Sequence, residues 1–365
     1  MNGSRVGLSD GDLVDAAFDY NSHWITEQCN GGLPWISAGP FVTGVVKFAL
    51  FWNVVWLLFA ITRRGHYTVW FLFAWGLALL WVNVAPFLIW LYDQIVLPQF
   101  FEKFEEINPD RQKLEDLSKR YNDFIADPPL VLFVFWAAGM LIVAWAGTPV
   151  LEDQGMSGDG APFRWLSYVY AVYMGGVLGE AGTAGVTATL LMIRDISDVS
   201  FEIQPLHPDQ LGGLSNVGYY AIRTTLLYSS GSLFIPLGFS LLAGASNTYL
   251  IAAIISVYIA SVLLIFVYPT VKINRKASQM RDEILDDLRD QMLEIRQELA
   301  SCESGEVEEV SKQLELERTR SKYEDYKTVR LYPLQIDILI KLIASILLPI
   351  VMIFFEIYIK DILAY

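Results

Sequence analysis

Residues 67–90 read Tyr67-TVWFLFAWGLALLWVNVAPFLI-Trp90, a run of 24 residues without an Asp, Glu, Lys or Arg. A helix rises about 1.5 Å per residue, so this run is long enough to cross the ~30 Å hydrocarbon of a bilayer. Lipid offers the backbone no hydrogen-bond partner, and a helix satisfies its peptide groups internally. The rings of Tyr67 and Trp90 at the two ends suit the bilayer interface, where one edge of an aromatic side chain stays wet.

Similar runs lie at 41–61, 129–146, 165–193, 217–242, 249–267 and 338–358. The pattern predicts an all-α, polytopic transmembrane helical bundle of about seven spans with cytoplasmic helical hairpins. Its expected divisions are an N-terminal cytoplasmic segment (1–40), spans one to six (41–271) with a helical hairpin at 93–128, a coiled-coil hairpin (272–333), and the seventh span with the C-terminus (334–365). The fourth run is long, and its glycines predict a tilt or a break. The first forty residues carry Asp10, Asp12, Asp15, Asp19 and Glu27 without a basic and then apolar leader, so the first span is expected to direct insertion.

Hydrophobic residues make up 54% of the 365 and charged ones only 18%, a balance foreign to a soluble acidic protein of this length. The formal charge of -14 withholds the basic footprint that nucleic acid requires. The expected partners are the lipid bilayer, a second copy of the chain, or a cytoplasmic protein engaged through 272–330. Cys29 and Cys302 stand far apart in sequence, so neither a disulfide framework nor a thiolate metal site is expected. No metal and no cofactor are expected.

Cations are retained on the cytoplasmic side. With the N-terminus inside, that side receives Arg5, Lys103, Arg111, Lys113, Lys119, Arg120, Arg194 and the cations from Lys272 to Arg330, leaving Arg63, Arg64, Arg164 and Lys360 outside. The expectation is a multi-pass cell-membrane protein with a cytoplasmic N-terminus and an external C-terminus. Arg63 and Arg64, in the tight first turn, dissent.

Two polar segments carry helical periodicity. Between spans two and three, Asn108-Pro109-Asp110 breaks one helix and caps the next, which places Leu114, Leu117, Tyr121, Phe124 and Ile125 on one face and stops at Asp127-Pro128-Pro129. Between spans six and seven, Met280, Ile284, Leu288, Met292, Ile295 and Leu299 recur as a coiled-coil seam does. After an interruption at 301–305, Val307, Val310, Leu314, Tyr323 and Tyr326 predict a returning helix.

Glu180 sits inside the fourth run, in GGVLGEAGTAG from Gly175 to Gly185. A carboxylate in hydrocarbon is costly and faces protein or a water-filled cavity. One reading is an ion or proton site on a polar path with Gly179, Gly182 and Arg223, where small residues let the helix unwind. The other is a protonated or paired packing residue on a close helix contact. Arg223, one or two turns into the fifth span, fits a cation reaching for the interface.

Ahead of that span runs Phe201-EIQPL-His207-Pro208-Asp209-Gln210-Leu211-Gly212-Gly213-Leu214. His207 and Asp209 admit a metal or acid–base reading, but two ligands make no metal site. The plainer reading is a turn built by Pro208, Gly212 and Gly213 with Asp209 as a helix cap. The stretch resembles a signature of prokaryotic multi-spanning membrane proteins in which a similar His-Pro-Asp and Gly-Gly-Leu pair lies between two apolar helices. That resemblance covers about forty residues, 192–233, and implies the fold without implying an activity. Phosphate-loop, zinc-protease and hydrolase-elbow motifs are missing, which points away from an enzyme. The expectation for function is a channel or transporter with a polar path near Glu180. The alternative is a membrane sensor or scaffold that recruits partners or oligomerises through its hairpins.

Overall fold

The structure, a computed structural model, describes residues 21–34, 37–105, 107, 111–197, 203–205, 207, 212–243, 248–301 and 307–329. The expected seventh span, the cap at 108–110, Pro208, Asp209 and Cys302 lie outside the described residues. Those residues form helices and no strand: α1 (Trp24–Asn30), α2 (Pro40–Thr62), α3 (Val69–Glu105), α4 (Arg111–Ala126), α5 (Leu130–Ala146), α6 (Gly158–Ile196), α7 (Ser215–Leu242), α8 (Thr248–Ser301) and α9 (Val307–Thr328). The helices α2, α3, α6, α7 and the Ser256–Ala300 part of α8 are long and apolar enough to cross a membrane, and α4 with α5, bent by 40°, brings the number to as many as six.

Packing agrees with lipid as the surrounding solvent. Leu130, Val131, Phe135, Ile142 and Trp145 along α5 are each about two-thirds exposed, as are Ile61 and Val69 at the first turn. Water would make such a surface an aggregation site, whereas hydrocarbon tails accept it.

Two apolar cores stack along the bundle. The first gathers Phe59, Phe71, Trp75, Met156, Met174 and Leu241 between α2, α3, α6 and α7. The second lies at the other end, where Leu97, Phe101, Leu114, Ile193, Val217, Ile273 and Ala277 join α3, α4, α6, α7 and α8. At about 1.5 Å per residue, α3 (37 residues), α6 (39) and α8 (54) are all longer than a hydrocarbon thickness requires.

The two ends of the bundle are tied differently. At one end Arg63, the cation that dissented from the charge rule, donates from Nε to the carbonyl of Gly155 (3.0 Å) and from Nη2 to that of Ser157 (3.3 Å). The Thr68 amide donates to Gln154 Oε1 at 2.6 Å, and Arg164 pairs with Glu152. Arg63 therefore clasps two turns together. At the opposite end Asn21 and Asn122 exchange backbone and side-chain bonds (2.6 and 2.8 Å), and Tyr121 donates to Asp195 Oδ2 at 2.5 Å.

Of the two polar hairpins, the first keeps its expected inner face, with Leu114, Tyr121 and Ile125 buried. In the second, α9 packs back along α8, with Lys312 Nζ 3.3 Å from Glu298 Oε2. The α8 seam is as expected: Leu288 and Ile295 are buried, and Ile284, Met292 and Leu299 half-buried. The α9 face is as expected at Tyr323 and Tyr326 and differs at Val310 and Leu314. Val310 and Leu314 point outward (58% and 64% exposed), and the line Lys312, Leu316, Thr319, Tyr323, Tyr326 turns in. The line through Val310 and Leu314 runs on into Glu317 and Arg318, whereas beyond Lys312, whose charge is paired with Glu298, the alternating three- and four-residue steps of the other keep uncharged side chains on one stripe toward the second core. The apolar stripe of α8 is thus covered within the hairpin.

Candidate functional site

The fourth run is broken where its glycines are, by one widened turn with i→i+5 bonding at Gly175–Gly179. The helix does not unwind. A Cβ on Gly175 would sit 2.6 Å from the carbonyl oxygen of Trp136, and one on Gly179 2.7 Å from the Trp136 ring, so these glycines let α5 press against α6. Gly182 has nothing within 4 Å of such a Cβ and takes no part in that contact. Trp136 Nε1 donates to Thr183 Oγ1 at 2.7 Å and fixes the level of the two helices.

Glu180 begins the helix beyond the widened turn and is 8% exposed. Its neighbour Gly179 meets Trp136, six residues into α5, so the carboxylate lies about 9 Å inside the Leu130 end by helical rise. That is shallower than the mid-span depth its place in the run predicts, because α6 extends well past α5 at this end. Among the described residues its carboxylate makes no hydrogen bond or ion pair, and Asp127, just before α5, is the charge that acts on it.

A second polar cluster, unforeseen in the sequence, lies further toward the same end. Tyr92 Oη is 2.6 Å from Tyr220 Oη and 3.0 Å from Thr189 Oγ1, and Thr189 and Tyr220 close the triangle at 3.0 Å. Thr189 also donates to the Gly185 carbonyl at 2.8 Å. All three side chains are buried and join α3, α6 and α7; with the Thr189 proton on Gly185, the two tyrosine hydroxyls are the donors within the cluster. Tyr92 occupies another widened turn, Tyr92–Val96, which turns its hydroxyl inward.

Asp93 in that turn is buried and accepts from the His23 amide at 2.9 Å, which docks α1 against α3. His23 caps α1 by accepting from the Ile25 amide through Nδ1 (3.2 Å), which places its proton on Nε2, an atom buried without a partner among the described residues. Burial lowers the His23 pKa to about 4. Cys29, on the same helix, is buried against the Pro86 carbonyl, and burial raises its thiol to about 11.

The glycine-rich loop does structural work where it is described. Ile203 enters the second core, and the Gln204 amide donates to the Gly212 carbonyl at 3.3 Å. Gly212 and Gly213 have φ of 69° and 90°, which only glycine adopts without strain, and they lie against Ile203 and Ile107. The His207 amide donates to Gln204 at 3.0 Å, closing a turn. No three His, Cys, Asp or Glu side chains come together among the described residues to hold a metal ion.

Arg223 does not meet Glu180. Its Nη1 donates to Gln99 Oε1 at 2.7 Å, seven residues beyond Tyr92 on α3, so its stem carries the charge toward the second core's end. A small apolar void lined by Phe71, Trp75 and Met140 and a larger cavity beside Arg223 open between the helices, and Glu180 lines neither. No family model, curated protein or solved structure matches the chain.

Proposed function

We propose that this protein is a membrane-embedded sensor or scaffold whose hairpin of α8 and α9 meets its partner, or a second copy, on the cytoplasmic side of the cell membrane. The observation that carries this reading is α8 itself, an unbroken helix of 54 residues that contains both a membrane-spanning stretch and the hairpin seam. Pro269 removes the backbone donor that would serve the Ile265 carbonyl, yet the helix continues through it. Ile273 and Ala277 then lock α8 into the second core. A displacement among the spans therefore reaches the hairpin through one stiff element. The outer face of the hairpin, with Leu293, Val310 and Leu314 exposed, is the surface offered for contact. The N-terminus is cytoplasmic and the C-terminus external in this reading, as the cation count asks.

Single cysteines at Leu314 and Val310, cross-linked in membranes, test it. The expected result is an adduct of defined mass that is lost when Leu293→Glu puts a charge on the exposed face, while membrane insertion persists. Absence of any adduct, or its undiminished yield in the Leu293→Glu protein, rejects the scaffold reading.

A second reading, a polar path through the bundle, is favoured by the carboxylate of Glu180, which is buried and makes no hydrogen bond or ion pair among the described residues. An ionisable group at that depth suits proton or cation transfer. In proteoliposomes Glu180→Gln is expected to alter proton or cation flux without altering the thermal midpoint, and equal flux in both proteins disposes of the path.

A further inference from the structure

The larger cavity, about 240 Å³, opens between α3 and the first two turns of α7. It is walled by Gln99 and Lys103 from α3 and by Asn216, Tyr219 and Arg223 from α7. Each of these side chains carries a hydrogen-bond donor, and none is an acid. In a chain of formal charge -14, a cavity lined by two cations and no carboxylate is against the general trend. Neither cation forms an ion pair with a described acid. Arg223 is aimed at this spot by its 2.7 Å bond to Gln99 Oε1, which leaves the Gln99 amide nitrogen free to donate as well. Asn216 lies in the first turn of α7, the positive end of the helix dipole.

The buried rings of Phe100 and Tyr220 form the floor, and Lys103, Tyr219 and Arg223 are exposed at the rim. The space holds roughly eight waters at about 30 Å³ each, more than a phosphate group needs. One turn beyond Arg223 on the same face of α7, Leu226 is 41% exposed and begins the apolar surface that faces lipid. The cavity thus stands where charge gives way to hydrocarbon.

We propose that this cavity binds a phosphate-bearing anion, with Lys103 and Arg223 as its charged ligands and Gln99, Asn216 and Tyr219 as neutral donors. Several donors converging from two helices suit a group with three or four oxygens better than a halide or a single carboxylate. Basic pockets between spanning helices receive anionic lipid headgroups in this way, with the acyl chains lying along the outer apolar face. A free phosphate compound offers the same chemistry from the aqueous side.

The test uses the full-length protein in neutral detergent, titrated separately with dioctanoyl phosphatidylglycerol, dioctanoyl phosphatidylcholine and inorganic phosphate. Binding is followed by native mass spectrometry and by the thermal midpoint. Phosphatidylglycerol is expected to bind more tightly than phosphatidylcholine, and the Lys103→Gln/Arg223→Gln pair to weaken it roughly tenfold or more. Binding of inorganic phosphate with the same loss in that pair supports the site with a soluble ligand. Lys103→Glu, at an exposed position that packing does not depend on, must also weaken whichever ligand binds, and it keeps the test decisive if the double variant misfolds. Equal binding of the two lipids without binding of phosphate, no binding of any ligand, or affinities untouched by these substitutions overturns the proposal.

Discussion

His23 anchors α1 on the widened turn of α3 while buried and neutral, so acid should loosen it. Its folded pKa of about 4 lies below the unfolded 6.5, which means that the unfolded chain binds the proton more readily between those values. The stabilisation is complete above 6.5 and falls away as the pH drops toward 4, by about 3 kcal/mol at about 1.4 kcal/mol per unit. His23→Gln keeps a neutral donor and acceptor at every pH. Between pH 7 and pH 4.5 the native protein should lose more of its thermal midpoint than His23→Gln does, and parallel losses would show that His23 is not the group responsible. Nothing in the sequence marks this residue. Asp93 reads there as the first position of a hairpin, and its bond to His23 spans seventy residues.

At the scale of the helix, glycines only seven residues apart have different duties. Gly175→Ala forces a methyl toward the Trp136 carbonyl, a backbone atom that cannot yield cheaply, and should cost roughly 1–3 kcal/mol as overpacking does. Gly182→Ala meets open space and should be neutral or gain up to about 1 kcal/mol from helix propensity. Thermal midpoints of the two variants in detergent check this, and similar losses in both would rule out close approach of α5 as the reason for the glycines. The apolar runs were legible because lipid demands long uncharged segments, and those runs recover the described spans to within a few residues at most ends. The α8 seam was legible for the same reason of periodicity. The α9 face was misread at Val310 and Leu314 because two apolar lines compete on it, and which one turns inward depends on its partner. The Tyr92, Thr189 and Tyr220 cluster and the cavity beside Arg223 were not legible at all. Each joins helices about a hundred residues apart, and one sequence does not say which faces meet.

For the molecule as a whole, the clasp at Arg63 and the bonds at Asn122 and Asp195 assign the polar turns to two opposite ends. Cysteines placed at Arg64 and Ser157 should therefore react with an impermeant reagent from one side of the membrane, and cysteines at Asp123 and Arg194 from the other. A Ser157 cysteine labelled from the same side as Asp123 would break the arrangement. The clasp was not legible in the sequence, since a positive charge spent on two carbonyls cannot be told from a sorting signal by composition. The stacking of two cores has one more consequence. In the proposed arrangement hydrocarbon surrounds the first core, so little water is released when it assembles, whereas the core that includes Leu97 and Ile273 assembles against water. Urea and cooling act on interfaces of the second kind. Near 0 °C, or in moderate urea, exchange of amide hydrogens should quicken in 111–126 and 273–295 well before it does in 69–91, so that chilled membranes would hold a protein melted at one pole and intact at the other.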